Sequence, residues 1–273
     1  MDGYKDRKNQ SIYNLSTSLA DIIIHAKHNL GILVQGGDQL RGHRGKLVFA
    51  KHQKYEDIVQ EGCVYWSAGR RDAYWLMRSN LSQNYESFGG IGIMRPDIAA
   101  DFNLDISDRT LEEVTKFLEE AYRITPDRYL VNDALAEYVY KAKGKPDNES
   151  EMSAWRGPLK RLIKGHVKEH YKLVTGALAD ILDNGGIVTI HPEGTRTQGK
   201  VGPVKIELIE GILAIAKSDY DIHTMGIDYR ETEDGTGVSI DVSENIKPLI
   251  DAGNPSEVVQ SELEAAQARA EAR

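Results

Sequence analysis

Residues 187 to 196 read IVTIHPEGTR, four strand-like positions running straight into a histidine, a proline, a carboxylate, a glycine, a hydroxyl and an arginine. The apolar part is short and bounded by Gly186 and polar residues, which is the pattern of a strand that ends where chemistry-bearing side chains begin. Working outward, GILV at 31–34, KLVFA at 46–50, AYWLM at 73–77, GIGIM at 90–94 and IHTMGIDY at 222–229 have the same character. Helical spacing of Ile12, Leu15, Leu19, Ile22, Ile23 and Ala26 predicts a helix over 11–30, and amphipathic patterns predict helices over 172–183 and 203–217. That alternation predicts an α/β fold, a mixed and largely parallel sheet flanked by helices.

From Pro96 to about Tyr171 the pattern turns helical, with DRTLEEVTKFLEEAY and DALAEYVYKAK the clearest segments and TPD and KPDNES as breaks. Because strands resume afterwards, 97–171 reads as a helical insertion within a single domain spanning 1–273. The last segment, PSEVVQSELEAAQARAEAR, reads as a helix with poor apolar periodicity, exposed on one side or frayed.

At 273 residues the chain can bury a substantial core without covalent staples, and the lone Cys63 fits a reducing, cytoplasmic setting. The most apolar early stretch, LADIIIHAKHNLGILV, is broken by Asp21, His25, Lys27 and His28, so no window reaches the roughly 20 apolar residues of a membrane span. No signal peptide is evident, and peripheral membrane contact stays open. A net charge of −8 argues against nucleic acid as a partner.

Straight after KLVFA, the segment KHQKYED sets His52 and Asp57 five positions apart. A carboxylate there can orient the ring while its other nitrogen faces a substrate hydroxyl, which makes a general base. The same spacing also fits a solvated loop histidine and a helix-start aspartate. Loops that follow parallel strands collect at one edge of a sheet, so the tails of KLVFA, GIGIM and IVTI can converge on one crevice. Arg95 and Arg196 would bring fork-shaped donors to it, and the Gly194–Thr195 pair would bring exposed amides, a combination suited to phosphate.

The chain here resembles the glycerolipid acyltransferases that acylate glycerol-3-phosphate or 1-acylglycerol-3-phosphate. His52 to Asp57 resembles that family's His-x4-Asp block, and GGIGIMR resembles its Gly-x-Ile-x-x-x-Arg block through Gly90 and Arg95. Pro192, Glu193, Gly194, Thr195 and Arg196 match Phe-Pro-Glu-Gly-Thr-Arg, with His191 in place of the usual apolar or aromatic residue. In GKVGPVKIE, Lys205 resembles a ligand-contacting lysine, although Glu207 stands where the family has glycine. IHTMGIDYR lacks the proline of the fourth block. The resemblance covers about residues 30–96 and 175–230.

It implies an O-acyltransferase of phospholipid biosynthesis. A hydroxyl of a phosphorylated polyol or lysophospholipid, deprotonated by His52, attacks a thioester donor, acyl-CoA or acyl carrier protein, with no further cofactor and no metal. Arg95, Thr195, Arg196 and the amides near Gly194 would hold the phosphate, with Lys205 as a further contact. Glu193 would orient the arginines or bind the acceptor's free hydroxyl. The alternative is a non-catalytic module that holds a phosphate ligand or lipid in the same crevice.

Plainer roles stand beside these. Arg95 can pair with Asp97, Arg196 with Glu193, and Lys205 can be a solvated helix residue. His191, His25 and His28 read as packing or solvent, and the two tryptophans of WSAGRRDAYW as core. In WRGPLKRLIKGHVKEHYK, six cationic side chains lie beside Leu162, Ile163 and Val167. That segment reads either as a solvated basic face or as a dock for anionic lipid or acyl carrier protein.

Overall fold

The computed structural model describes residues 32–54, 56–78, 89–93, 171–194, 196–205, 207–232 and 235–273. The predicted helix at 11–30 and, apart from Tyr171, the predicted insertion at 97–171 lie outside them. The chain forms two compact units: Met1–Leu76 with Gln83–Gly90 and Thr175–Arg273, and Met77–Ser82 with Ile91–Val174. In the second unit the described residues are 77–78, 91–93 and 171–174.

In chain order the strands are β1 (Ile32–Gln35), β2 (Gly45–Ala50), β3 (Ala73–Arg78), β4 (Gly90–Ile93), β5 (Ile187–Ile190), β6 (Tyr220–Thr232) and β7 (Gly235–Val242). The helices are α1 (Asp57–Ser67), α2 (171–183), α3 (Glu207–Ile215), α4 (Lys247–Ala252) and α5 (Pro255–Glu271). One seven-stranded sheet runs in the order β1-β7-β6-β2-β5-β3-β4. β3, β5, β2 and β6 run parallel, while β7 is antiparallel to β6 and parallel to β1. The fold is therefore α/β with a mixed, mostly parallel sheet.

Burial follows from strand position. Every residue of β2 and β5 is buried, as expected of central parallel strands covered on both faces. Edge strand β1 alternates, leaving Leu33 exposed. The strand GTGVSIDV of β7 has no counterpart in the apolar pattern, because polar Ser239 and Asp241 separate Val238, Ile240 and Val242 and yet are buried themselves. For Asp241 the partners are remote in sequence: it accepts from Arg269 Nε at 2.8 Å and from Arg273 at 2.9 Å.

The C-terminal segment is a packed helix. Asn254 caps α5 by accepting from the Ser256 amide at 3.0 Å, and Pro255 occupies its first turn. Its buried stripe is Val259, Leu263, Ala266, Gln267 and Ala270, which has helical spacing but is mostly small or polar, so apolar periodicity understates it. The small residues let the helix lie close on β6. A Cβ at Gly226 would stand 2.3 Å from the Ala266 carbonyl oxygen, so only glycine fits there. Of the two tryptophans, Trp75 is core and Trp66 is half-buried under the Arg71 guanidinium, 4.2 Å from its ring centre. No helix among the described residues is long and apolar enough to cross a membrane.

Strand register determines what meets at the sheet's edge. Phe49 of β2 lies opposite Ile190 of β5 and Thr224 of β6. The residues that follow β2 and β5, and the extension of β6 to Tyr229, therefore emerge together at the C-terminal ends of the parallel strands.

Candidate active site

After Ala50 the chain leaves the sheet, with the Lys51 amide still donating to the Met225 carbonyl at 2.8 Å. It turns at 53–54 and enters α1 at Asp57. The carboxylate of Asp57 closes this turn on itself: Oδ2 accepts from the amides of Gln53 at 2.6 Å and Lys54 at 2.9 Å. The same oxygen lies 2.9 Å from His52 Nδ1, and Oδ1 accepts from the Tyr229 hydroxyl at 2.6 Å. Burial of Asp57 disfavours its charge, but the bonds from His52, Tyr229 and the two amides outweigh that and hold the carboxyl below its ordinary value of 3.8. Tyr229 responds in the opposite sense: burial and the Asp57 charge push its hydroxyl far upward, so it stays a neutral donor.

An ionised, acceptor-only Asp57 assigns the Nδ1 proton of His52 to this hydrogen bond. The other ring nitrogen, Nε2, has no hydrogen-bond partner among the described residues. One fifth of the His52 side chain is exposed, whereas that of Asp57 is fully buried. A buried carboxylate thus aims a partly exposed ring outward.

The HPEGTR turn is fastened beside it. The Gly194 amide donates to the His191 carbonyl at 3.0 Å with Gly194 at φ 68°, a left-handed conformation that favours glycine. The Lys205 amide donates to the Pro192 carbonyl at 2.9 Å, and a Cβ at position 194 would lie 3.2 Å from Lys205 Nζ, so the exposed Lys205 lays its ammonium over the turn. The Thr197 amide donates to the His52 carbonyl at 2.9 Å, which sets the backbone of exposed Arg196 next to that of the histidine.

Glu193 sits beneath the turn, buried. It accepts from Lys51 Nζ at 2.9 and 3.2 Å, from the His52 amide at 3.1 Å and from the Gly202 amide at 2.5 Å, and it bonds the Thr197 hydroxyl. Lys51, also fully buried, donates in addition to the Thr197 carbonyl at 2.7 Å and to its hydroxyl. This network occupies the carboxylate that the sequence assigns to arginines or a free substrate hydroxyl, and joins β2's tail to the turn. The structure therefore brings together His52, Asp57, Glu193, Gly194, Arg196 and Lys205, while Arg95 and Thr195 lie outside the described residues.

Four residues of the site are not evident from the motifs. Lys51 and Tyr229 are the first two. The third is His191, read as packing or solvent, whose ring stacks on that of His52 with centroids 4.2 Å apart and planes 23° apart. The fourth is Glu61, fully buried, whose Oε1 lies 2.8 Å from His191 Nε2 while Oε2 accepts from Trp75 Nε1 at 2.6 Å. One signal was available: Asp57 and Glu61 are four residues apart and share a helix face. Among the described residues no group of three or more His, Cys, Asp or Glu side chains is placed to hold a metal ion. The basic segment 155–172 is described only at Tyr171 and Lys172.

No protein-family model matches the sequence. No curated protein matches it either. Among solved structures, it is similar to the crystal structure of the 1-acyl-sn-glycerophosphate (LPA) acyltransferase PlsC from Thermotoga maritima. That similarity has a TM-score of 0.46 at 12% identity and covers 98% of this chain and 79% of that one.

Proposed function

We propose that the protein is an O-acyltransferase that moves a fatty acyl group from a thioester to a hydroxyl of a glycerol-phosphate-type acceptor. The carrying observation is the His52–Asp57 pair at the C-terminal strand edge, its ring fastened beside the left-handed Gly194 turn and the Lys205 ammonium. A base beside an anion-holding turn suits an acceptor that is both an alcohol and a phosphate.

In this reading Nε2 of His52 takes the acceptor's hydroxyl proton as the oxygen attacks the thioester carbonyl, and Asp57 stabilises the imidazolium that forms. Collapse of the tetrahedral adduct breaks the carbon–sulfur bond, and the proton passes from Nε2 to the departing thiolate of coenzyme A or acyl carrier protein. Lys205, Arg196 and the amides near Gly194 hold the phosphate, with Arg95 and Thr195 as further contacts, so that the hydroxyl is presented to the base. Glu193 serves by positioning, through Lys51 and the His52 amide. A peripheral contact of 155–172 with anionic membrane or carrier protein would deliver the acyl chain.

The test is thiol release from acyl-CoA and acyl carrier protein with glycerol-3-phosphate, lysophosphatidate and a wider set of alcohols. Release by wild type well above His52→Ala is expected. Wild type no faster than His52→Ala with every pair would leave a phosphate- or lipid-binding module as the better reading.

A further inference from the structure

The site holds two imidazole–carboxylate pairs where the reaction above uses one. β2 and β5 are parallel neighbours, and the rings of His52 and His191 leave them side by side and stack at 4.2 Å. The carboxylates that meet those rings, Asp57 and Glu61, come from successive turns of α1. The second pair is built as firmly as the first, since Trp75 fixes the other oxygen of Glu61 and no part of that carboxylate reaches solvent.

We propose that His191 and Glu61 are a positioning pair for the general base: a cationic His191 ring, held by buried Glu61 and stacked on His52, sets a like charge against the imidazolium that His52 becomes on taking the acceptor's proton. This rests on the reading of His52 as the base of a transfer reaction. The groups facing His191 determine the sign. Among the described residues, α1 contributes Asp57 and Glu61, β2's tail contributes His52, and its own turn contributes Glu193. Lys51 and Glu193 are paired with each other, Asp57 is engaged by His52 and the neutral Tyr229, and Glu61 is the acid that touches His191. Burial works against a charged His191, but Glu61, then Asp57 and Glu193, outweigh it and hold its proton above the ordinary value of 6.5. A like charge within stacking distance disfavours protonation of the neighbouring ring. Asp57 favours a charge on the His52 ring and a cation on His191 opposes one, so the two pairs act on the same ring in opposite senses.

A neutral aromatic at position 191 would fill the same space and stack equally well, so packing and charge separate in His191→Phe. The probe is an NMR titration of the full chain carrying carbon-13-labelled histidine, with the two imidazoles assigned by His52→Ala and His191→Phe. The His52 midpoint is expected to rise by about one pH unit in His191→Phe. It should move in the same direction in Glu61→Gln, which keeps the ring but removes its counter-charge. The acid limb of thiol release should shift upward in parallel. A His52 midpoint that is unchanged or lowered in these variants overturns the proposal. The titration needs no turnover, so wild type that releases no thiol would refute the transferase reading while the charge coupling of the two rings is still decided by the midpoints.

Discussion

At the N-terminal end of the central strands, buried charge closes on itself. Arg70, almost wholly buried, donates to the carbonyls of Gly42 at 2.6 Å, Arg44 at 3.3 Å and Gly185, and pairs with Asp72 at 2.9 and 3.0 Å. Beside it, Asp221 takes Lys46 at 2.8 Å, Arg44 at 3.0 Å and Asn245 at 3.1 Å. Those partners are mostly loop carbonyls, with half-exposed Asp72 and Arg44 at the rim, and the product is a set of loops fastened to one another. At the C-terminal end the same materials are arranged to a different end. Asp57 and Glu61 each give one oxygen to an imidazole, and His52, the more exposed of the two rings, keeps Nε2 uncommitted among the described residues. Buried charge satisfied within the protein builds a fold, whereas buried charge that aims a partly exposed group is the arrangement the proposed reaction needs.

Substitutions at the two ends should therefore fail differently. The largest effect is expected for His52→Ala, a fall in thiol release of about 10²- to 10⁴-fold with a stability loss of only about 1 kcal/mol, that of one donor to buried Asp57. A matching loss of stability would mean that this end, too, is structural. Arg70→Leu should do the reverse. It strips several buried carbonyls of their donor and should lower unfolding free energy by about 2–4 kcal/mol in urea titrations, while kcat per folded molecule holds.

Tyr229→Phe lies between these extremes. Removing the donor to Asp57 Oδ1 should cost about 1 kcal/mol of stability and several-fold in kcat, with KM little changed, as measured by steady-state kinetics and denaturant melts. Lys205→Ala should show the smallest change in kcat and a several-fold rise in KM for the phosphorylated acceptor alone, since in the proposed reading this exposed cation over the turn holds the phosphate and not the proton.

The two ends also separate by pH. Asp57 titrates in the folded protein below its ordinary 3.8. The stability it contributes is thus fully present above that value and is lost as pH falls through the depressed folded value. Melts of Asp57→Asn should accordingly lose less stability below pH 4 than wild type does, and an identical acid profile would show that the carboxylate is not held in its charged form.

Much of this was legible from the chain. Six of the seven strands and two of the helices announce themselves through short apolar runs or helical spacing. β7 and the packing of α5 do not, because their buried faces are made of polar and small residues whose partners lie far away in sequence. In the site, His52 and Asp57 are readable because the pair is local, five residues apart across one turn. Glu193 is readable as a member of the motif but not in its place, because its partner Lys51 stands 142 residues earlier. His191 could not be interpreted from its neighbours at all. The stack on His52 exists because two strands are paired in one register, and a slip of one residue would turn that ring to the other face.

The sequence by itself determined the class of fold and the pairing of His52 with Asp57 across one turn. Backbone periodicity and a turn closed by its own carboxylate are short-range properties, written within a dozen residues. Only the tertiary structure decided that the histidine has a second histidine against it, that Glu61 rather than a surface partner meets that second ring, and that Glu193 faces inward. Those contacts depend on which strands lie side by side and on which helix face covers them, and the free energy that selects them comes from burying the whole sheet rather than from any one segment.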